Sequence, residues 1–321
     1  MAFFRHTTPV DEKTEETDTN KLPADPPETK DGVRDFWQHW DYLLSMVTEL
    51  AEFGVPILDA VGLTLNESIQ AEVDAGQIRA GDTLIEKGTR VVPRMLPLLT
   101  SMGIVKVMAR PSPRVLVMAL SQKAVPASYL VAAQAQESGA AAHRLEYIFE
   151  TGSELVNAIT EQLVRADLVV TIGGLGEARI DLREVADQIG PHDFTPVAVT
   201  PGRDHGFLLA EDRIPVLALP YDTPSSFVLT KLLLEPMIAK LMGAGTDPAL
   251  FSAYLAQPLR VAPNTLTCVP AVVKDARMTI TGRPVGLEGL YSIYKANALA
   301  ILASDGSVVD QDSEAFYLPL S

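Results

Sequence analysis

The chain has a single cysteine in 321 residues, only 6% aromatics, and 26 basic against 41 acidic residues. The lone Cys268 excludes an internal disulfide framework and any four-thiolate metal site, and it suits a reducing compartment. A formal net charge of −15 argues against a polyanion such as a nucleic acid as partner. A small anion remains admissible, because a local site needs only a few donors. No apolar run approaches a membrane span, and "MAFFRHTTPV" has no apolar signal-like stretch, so a cytoplasmic protein is expected. With few aromatics and 47% hydrophobic residues, the cores should be aliphatic, and the length allows two or three domains.

Residues 1–34 read as a disordered acidic, Pro-rich leader, with 8 acids and 5 bases and little apolar surface to offset chain entropy. Residues 35–110 follow as a helix-and-strand region. Its helix repeats Phe36, Trp40, Leu43, Leu44, Val47 and Leu50 at three- and four-residue spacing and should stop at Gly54. His39, between two tryptophans, reads as packing. Residues 111–245 alternate strand and helix, which implies a mostly parallel sheet covered on both faces. There Thr151 and Glu154 form a capping box, Thr223 precedes Pro224 as an N-cap, and Pro236 should kink its helix. Residues 257–321 hold strand-like runs between Thr-Gly and Asp-Gly turns, the pattern of a small β-barrel with Cys268 in its core.

Parallel α/β sheets bind ligands beyond the carboxyl ends of their strands. Three loops qualify. "TIGGLGEAR" offers backbone donors through Gly173, Gly174 and Gly176, although Glu177 and Arg179 stand where a plain phosphate cradle would carry small residues. "TPGRDHG" brings Arg203 and His205, and "PYDTPSS" ends at a helix start with Ser225 and Ser226, where N–H groups favour an anion. No Walker or dinucleotide fingerprint is present, no serine has a nucleophile elbow, and the histidines form no closely spaced ligand pair. Asp204 and His205 read as a loop and not as a dyad, and the pattern assigns no catalytic residue.

From about Asp59 onward these segments together resemble the molybdopterin molybdenumtransferases, a family that includes the C-terminal part of gephyrin. The resemblance is carried by "RAGDTLIEKGTRVVPRMLPLLTSMGIVKVMARPSPRVLV", "LVVTIGGLGEARIDL", "TPGR", "LALPYDTPSS" and "YKANALAILAS". It implies a three-layer α/β molybdopterin-binding domain of the MoaB/Mog type with a mostly parallel sheet. A helix-and-strand region and a small C-terminal β-barrel flank that domain in an elongated homodimer. The implied ligand is molybdopterin or its adenylylated form. Within the family pattern T-S-G-G-x-S, Thr171, Gly173 and Gly174 match, Ile172 and Gly176 replace serines, and Asp181 keeps a later aspartate. Pro201 and Gly202 match K-P-G-K, with Arg203 keeping one cation. Of P-G-N-P-V-S, Pro220 and Ser225 remain, and Tyr221 and Asp222 fill the Gly-Asn positions.

The family's inserted domain is absent between Ile69 and Ala80, and Leu120 to Lys123 stand where the family has T-G-D-E. The lost carboxylates argue against Mg²⁺ and molybdate handling. Two readings follow: a molybdopterin-binding protein with weakened or lost insertion chemistry, in which Arg203 and His205 pair with the phosphate, or a non-catalytic, gephyrin-like dimer that docks a peptide.

Overall fold

The structure, a computed structural model, describes residues 21–146, 149–211, 213–282 and 286–320. The expected leader therefore divides. Residues 1–20 lie outside the described residues, whereas 21–34 are folded onto the body. Strands β1 (Thr29–Lys30) and β2 (Val33–Arg34) form a hairpin turning at Asp31-Gly32, both at positive φ (54° and 74°). Leu22 and Ala24 pack on the main core, and Arg34 is buried by partners far along the chain. Composition of the segment alone does not reveal those partners.

Helix α1 (Phe36–Ser45) is capped by Asp35, whose carboxylate accepts from Trp37 N (3.0 Å) and Gln38 N (3.1 Å). It buries Phe36, His39, Trp40, Leu43 and Leu44. The helix ends at Ser45, well before Gly54. Leu50 N instead donates to the Leu241 carbonyl (2.9 Å), so tertiary pairing overrides the helical period, and Gly54 lies in β3 (Phe53–Pro56). Strand β4 (Thr64–Leu65) and the β5 (Ile69–Gln70)–β6 (Thr83–Ile85) hairpin follow. Helix α2 (Leu96–Ser101) then leads into β7 (Lys106–Arg110), which pairs with β3 and β4 over a separate core that includes Leu65, Leu99 and Val107.

The α/β region comprises β8 (Arg114–Ala119), α3 (Val125–Glu137), β9 (Ala141–Glu146), α4 (Gly152–Leu163), β10 (Leu168–Ile172) and α5 (Leu182–Val185). It continues through β11 (His192–Asp193), β12 (Val199–Thr200), β13 (Gly206–Ala210), β14 (Ile214–Leu219), α6 (Thr223–Leu229) and α7 (Glu235–Leu241). The six-stranded sheet runs β11-β13-β14-β10-β8-β9, with β9, β8, β10 and β14 parallel and β13 antiparallel to β14. Alternating side chains split between two cores. Val117, Val170 and Leu217 meet α1, α3, α6 and α7, while Leu116, Val169 and Val216 meet α4 and α5. Strand β12 departs from expectation: it pairs in parallel with a barrel strand and not with this sheet. Between α6 and α7 the chain makes a π-turn (Thr230–Leu234) just before Pro236, which accommodates the residue that cannot donate an amide hydrogen.

Strands β15 (Phe251–Leu255), β16 (Leu259–Arg260), β17 (Leu266–Lys274) and β18 (Arg277–Ile280) open the last region. Helix α8 (Gly286–Lys295), β19 (Ala298–Leu302), β20 (Val308–Val309) and β21 (Glu314–Pro319) complete it. The ring β17-β18-β15-β21-β19 closes through β17–β19 pairing into a five-stranded barrel, and Cys268 is fully buried. The region is not all-β. Gly286, Gly289 and three aromatic or β-branched positions in "GLEGLYSIYK" hide the helix α8 from propensity.

Candidate functional site

Strand β10 ends at Ile172, where Gly173 N donates to the Leu219 carbonyl (2.8 Å) and ties the glycine loop to β14. Gly173 and Gly174 both sit at positive φ (83° and 77°), a combination that side-chain-bearing residues rarely adopt. This turn points two successive N–H groups the same way, and the chain's own Glu177 meets them. Gly174 N donates to Glu177 Oε1 (2.7 Å) and Leu175 N to Oε2 (3.1 Å). A Cβ on Gly173 would stand 2.4 Å from the same carboxylate. Asp181 caps α5 through Arg183 N (3.0 Å) and pairs with the Arg183 guanidinium; that hydrogen bond holds its carboxyl below the usual range. Arg179 pairs with Glu150. Thr171 is fully buried in β10, its hydroxyl without a partner among the described residues.

Beside this loop lies a cavity of about 250 Å³, lined by Leu120, Ser121, Lys123, Phe149, Glu177 and Arg179 among others. It sits beyond the carboxyl ends of β8 and β10, where a parallel sheet gathers its loops. Ser121 Oγ is buried there without a partner among the described residues, and it lies 3.3 Å from where a Cβ on Gly173 would stand. Lys123 Nζ rests 5.8 Å from the Tyr221 ring centroid, which brings the third loop to the rim. Ser121 and Lys123 follow the first parallel strand, a position that could have marked them in the sequence as it marked the glycines.

The third loop is already capped from within. Asp222, one residue before the expected Thr223, accepts from Ser225 N (2.9 Å), because its carboxylate reaches the third helical amide. Ser225 is buried, and the Pro220 carbonyl accepts from Ser226 Oγ (2.6 Å).

The second loop reaches the same edge from the opposite direction, because Gly206 opens the antiparallel β13 opposite Ala218. Arg203 faces a different space. It lines a cleft of about 650 Å³ with Lys30, Asp35, Thr200, Gly202 and Asn264, which shares no residue with the glycine-loop cavity. Pro201 precedes Gly202, where a Cβ would stand 2.8 Å from Leu229. His205 turns inward and is 3% exposed.

Sequence spacing concealed what His205 meets. Its Nδ1–H donates to the Gly202 carbonyl (2.8 Å), so its Nε2 accepts from His39 Nε2–H (2.9 Å). His39 Nδ1 then accepts from Arg34 Nη1 (3.1 Å), which also donates to Asp193 Oδ2 (2.7 Å). Burial lowers both histidines. His39 is pushed down further by its His205 and Arg34 neighbours, and His205 falls from 6.5 to about 4. Both rings are therefore neutral at pH 7. Burial alone would raise Asp193, but hydrogen bonds from Thr195 and Arg34 hold it low. Thus Arg34 and His39, separated from His205 by 171 and 166 positions, clamp the base of the second loop. His205 does not line either cavity.

Among the described residues no cluster of three or more His, Cys, Asp or Glu side chains could hold a metal ion. The carboxylates of Glu150, Glu177, Asp181 and Asp222 are engaged with amides or guanidinium groups. This donor set does not fit Mg²⁺. Among the described residues, no helix is long and apolar enough to cross a membrane.

No family model matches the chain. It is 29% identical over 181 residues to molybdopterin molybdenumtransferase 1 of Mycobacterium tuberculosis, covering 52% of this chain and 42% of that protein. Against the molybdopterin molybdenumtransferase of Haemophilus influenzae it is 26% identical over 248 residues, covering 71% of this chain and 61% of the relative. The chain thus spans less than two-thirds of either relative's length. A solved molybdenum cofactor biosynthesis protein from Pyrococcus furiosus shares the fold, with a TM-score of 0.72 at 19% identity over 90% of this chain and all of that one.

Proposed function

Because the chain is a relative of the molybdopterin molybdenumtransferases, we propose that it acts in molybdenum cofactor biosynthesis by binding molybdopterin or its adenylylated form at the glycine-loop edge. The observation that carries this reading is one cavity lined by Lys123, by Ser121, whose hydroxyl has no partner among the described residues, and by Glu177, whose carboxylate holds the Gly174 and Leu175 amides. Amide pairs and an ammonium group suit a phosphate monoester, and the apolar wall of Leu120 and Phe149 suits a flat ring. Molybdate insertion is weak or lost. Among the described residues no cluster of three or more His, Cys, Asp or Glu side chains could hold a divalent ion, and removing even one donor to a developing charge costs a few kcal/mol of barrier.

Titration with purified molybdopterin tests the site. A Kd on the order of 10 µM is expected. Lys123→Ala should weaken it about tenfold, the loss of one charge-assisted hydrogen bond. Arg203→Ala should change it less than about twofold, because Arg203 faces the other cleft. Loss of binding in Arg203→Ala with none in Lys123→Ala would move the ligand to that cleft. A strain lacking its transferase should not be restored by this gene, and restoration would refute the loss of insertion.

A second reading has its own observation. Leu287, Leu290, Tyr291 and Tyr294 form an exposed stripe along α8, with Leu287 83% and Tyr294 77% exposed. That stripe supports a gephyrin-like homodimer that docks a peptide partner. Light scattering and a pull-down with Tyr294→Ala as control test it.

A further inference from the structure

The glycine loop already contains an anion. The two Glu177 oxygens take the Gly174 and Leu175 amides in the bidentate manner in which two phosphate oxygens would take them. We propose that Glu177 is a built-in occupant of the phosphate position, displaced when a phosphate monoester binds; this rests on the molybdopterin-site reading above.

Three features make the carboxylate displaceable. Glu177 is only half-buried and lines the open cavity, so solvent already reaches it. No Lys, Arg or His among the described residues pairs with it, so its departure strands no buried cation. The loop's turn is also secured elsewhere, by Gly173 N to the Leu219 carbonyl (2.8 Å) and Leu182 N to the Gly174 carbonyl (2.7 Å).

A phosphate would gain what the carboxylate does not use. Ser121 Oγ has no partner among the described residues, and Lys123 forms no ion pair among them. A dianion with a third oxygen can engage these groups and the two amides together. The natural chain is therefore selective: a ligand must outcompete the tethered carboxylate, which a simple carboxylate or chloride cannot do. Arg179, held by Glu150 at the same rim, stays clear of the amides.

Titration of the full chain with inorganic phosphate, followed calorimetrically, tests this in the natural protein, Glu177→Ala and Glu177→Gln. Glu177→Ala should bind phosphate at least tenfold more tightly than the natural chain, with Glu177→Gln between them. Adding Ser121→Ala to Glu177→Ala should remove most of the gain. Equal affinity in all three forms, or a gain that Ser121→Ala does not touch, overturns the proposal. If the alanine variant is misfolded by circular dichroism, the near-isosteric glutamine variant decides alone: no gain overturns it. Repeating the titration with molybdopterin separates the two claims. A phosphate gain without molybdopterin binding refutes the pterin reading and leaves the displaceable carboxylate standing. Equal molybdopterin affinity with and without Glu177 does the reverse.

Discussion

At the glycine loop, amide donors are met by a half-buried carboxylate that no cation among the described residues holds. In the cluster of Arg34, His39, His205 and Asp193, buried groups hold one another in a fixed chain of donors and acceptors. Both centres flank one sheet edge and both are polar. They differ in what leaves when a partner is removed. Taking Glu177 away exposes two amides to water or a ligand, whereas taking Arg34 away leaves the buried His39 Nδ1 without a donor and the Asp193 carboxylate without its cation. The first arrangement suits exchange and the second suits permanence.

Three measurements press on this contrast. Arg34→Ala should destabilise the fold by about 3–5 kcal/mol, the cost of stranding a buried charge, read as a lower urea midpoint. Lowering pH should have the next largest effect. The folded-state pKa of His205 lies below its unfolded value, so its contribution is complete above about 6.5 and is lost as pH falls towards about 4. The loss by pH 4 should be on the order of 3 kcal/mol. The lowered carboxylates Asp181 and Asp193 act further down, losing their contribution only as pH falls through their own depressed values. Urea midpoints at pH 7.5 and 4.5 check this, and an unchanged midpoint would mean the rings are not buried neutral. Glu177→Ala should cost least, under about 1 kcal/mol, because its amides can turn to water. A larger loss would make Glu177 a structural staple and erase the distinction.

Much of the edge was legible in the residues themselves. β-branched runs into glycines announced a strand and a turn, and of the capping box at Thr151 the N-cap half forms, with Glu154 N donating to its hydroxyl (3.3 Å), while the Glu154 carboxylate accepts from Glu150 N (2.8 Å) and not from Thr151 N. Glu177 was conspicuous as an odd residue in a cradle, but nothing local says that its side chain folds back onto the amides two and three positions earlier. The histidine chain was illegible because its members meet only through the placement of α1 against the second loop. The partner of strand β12 is not legible because Val199 and Thr200 read the same whether the strand borders one sheet or another. Helix α8 was missed because its glycines and tyrosines speak against helix locally, while its seat beside β17 decides otherwise.

The central claim is that ligands enter where Glu177 now sits. Amide NMR of the isotope-labelled chain during molybdopterin titration tests it most directly. The Gly174 and Leu175 resonances should move first and furthest, together with Ser121 and Lys123, while Arg203 and its neighbours stay in place. Shifts centred on Arg203, with Gly174 and Leu175 unmoved, would contradict it.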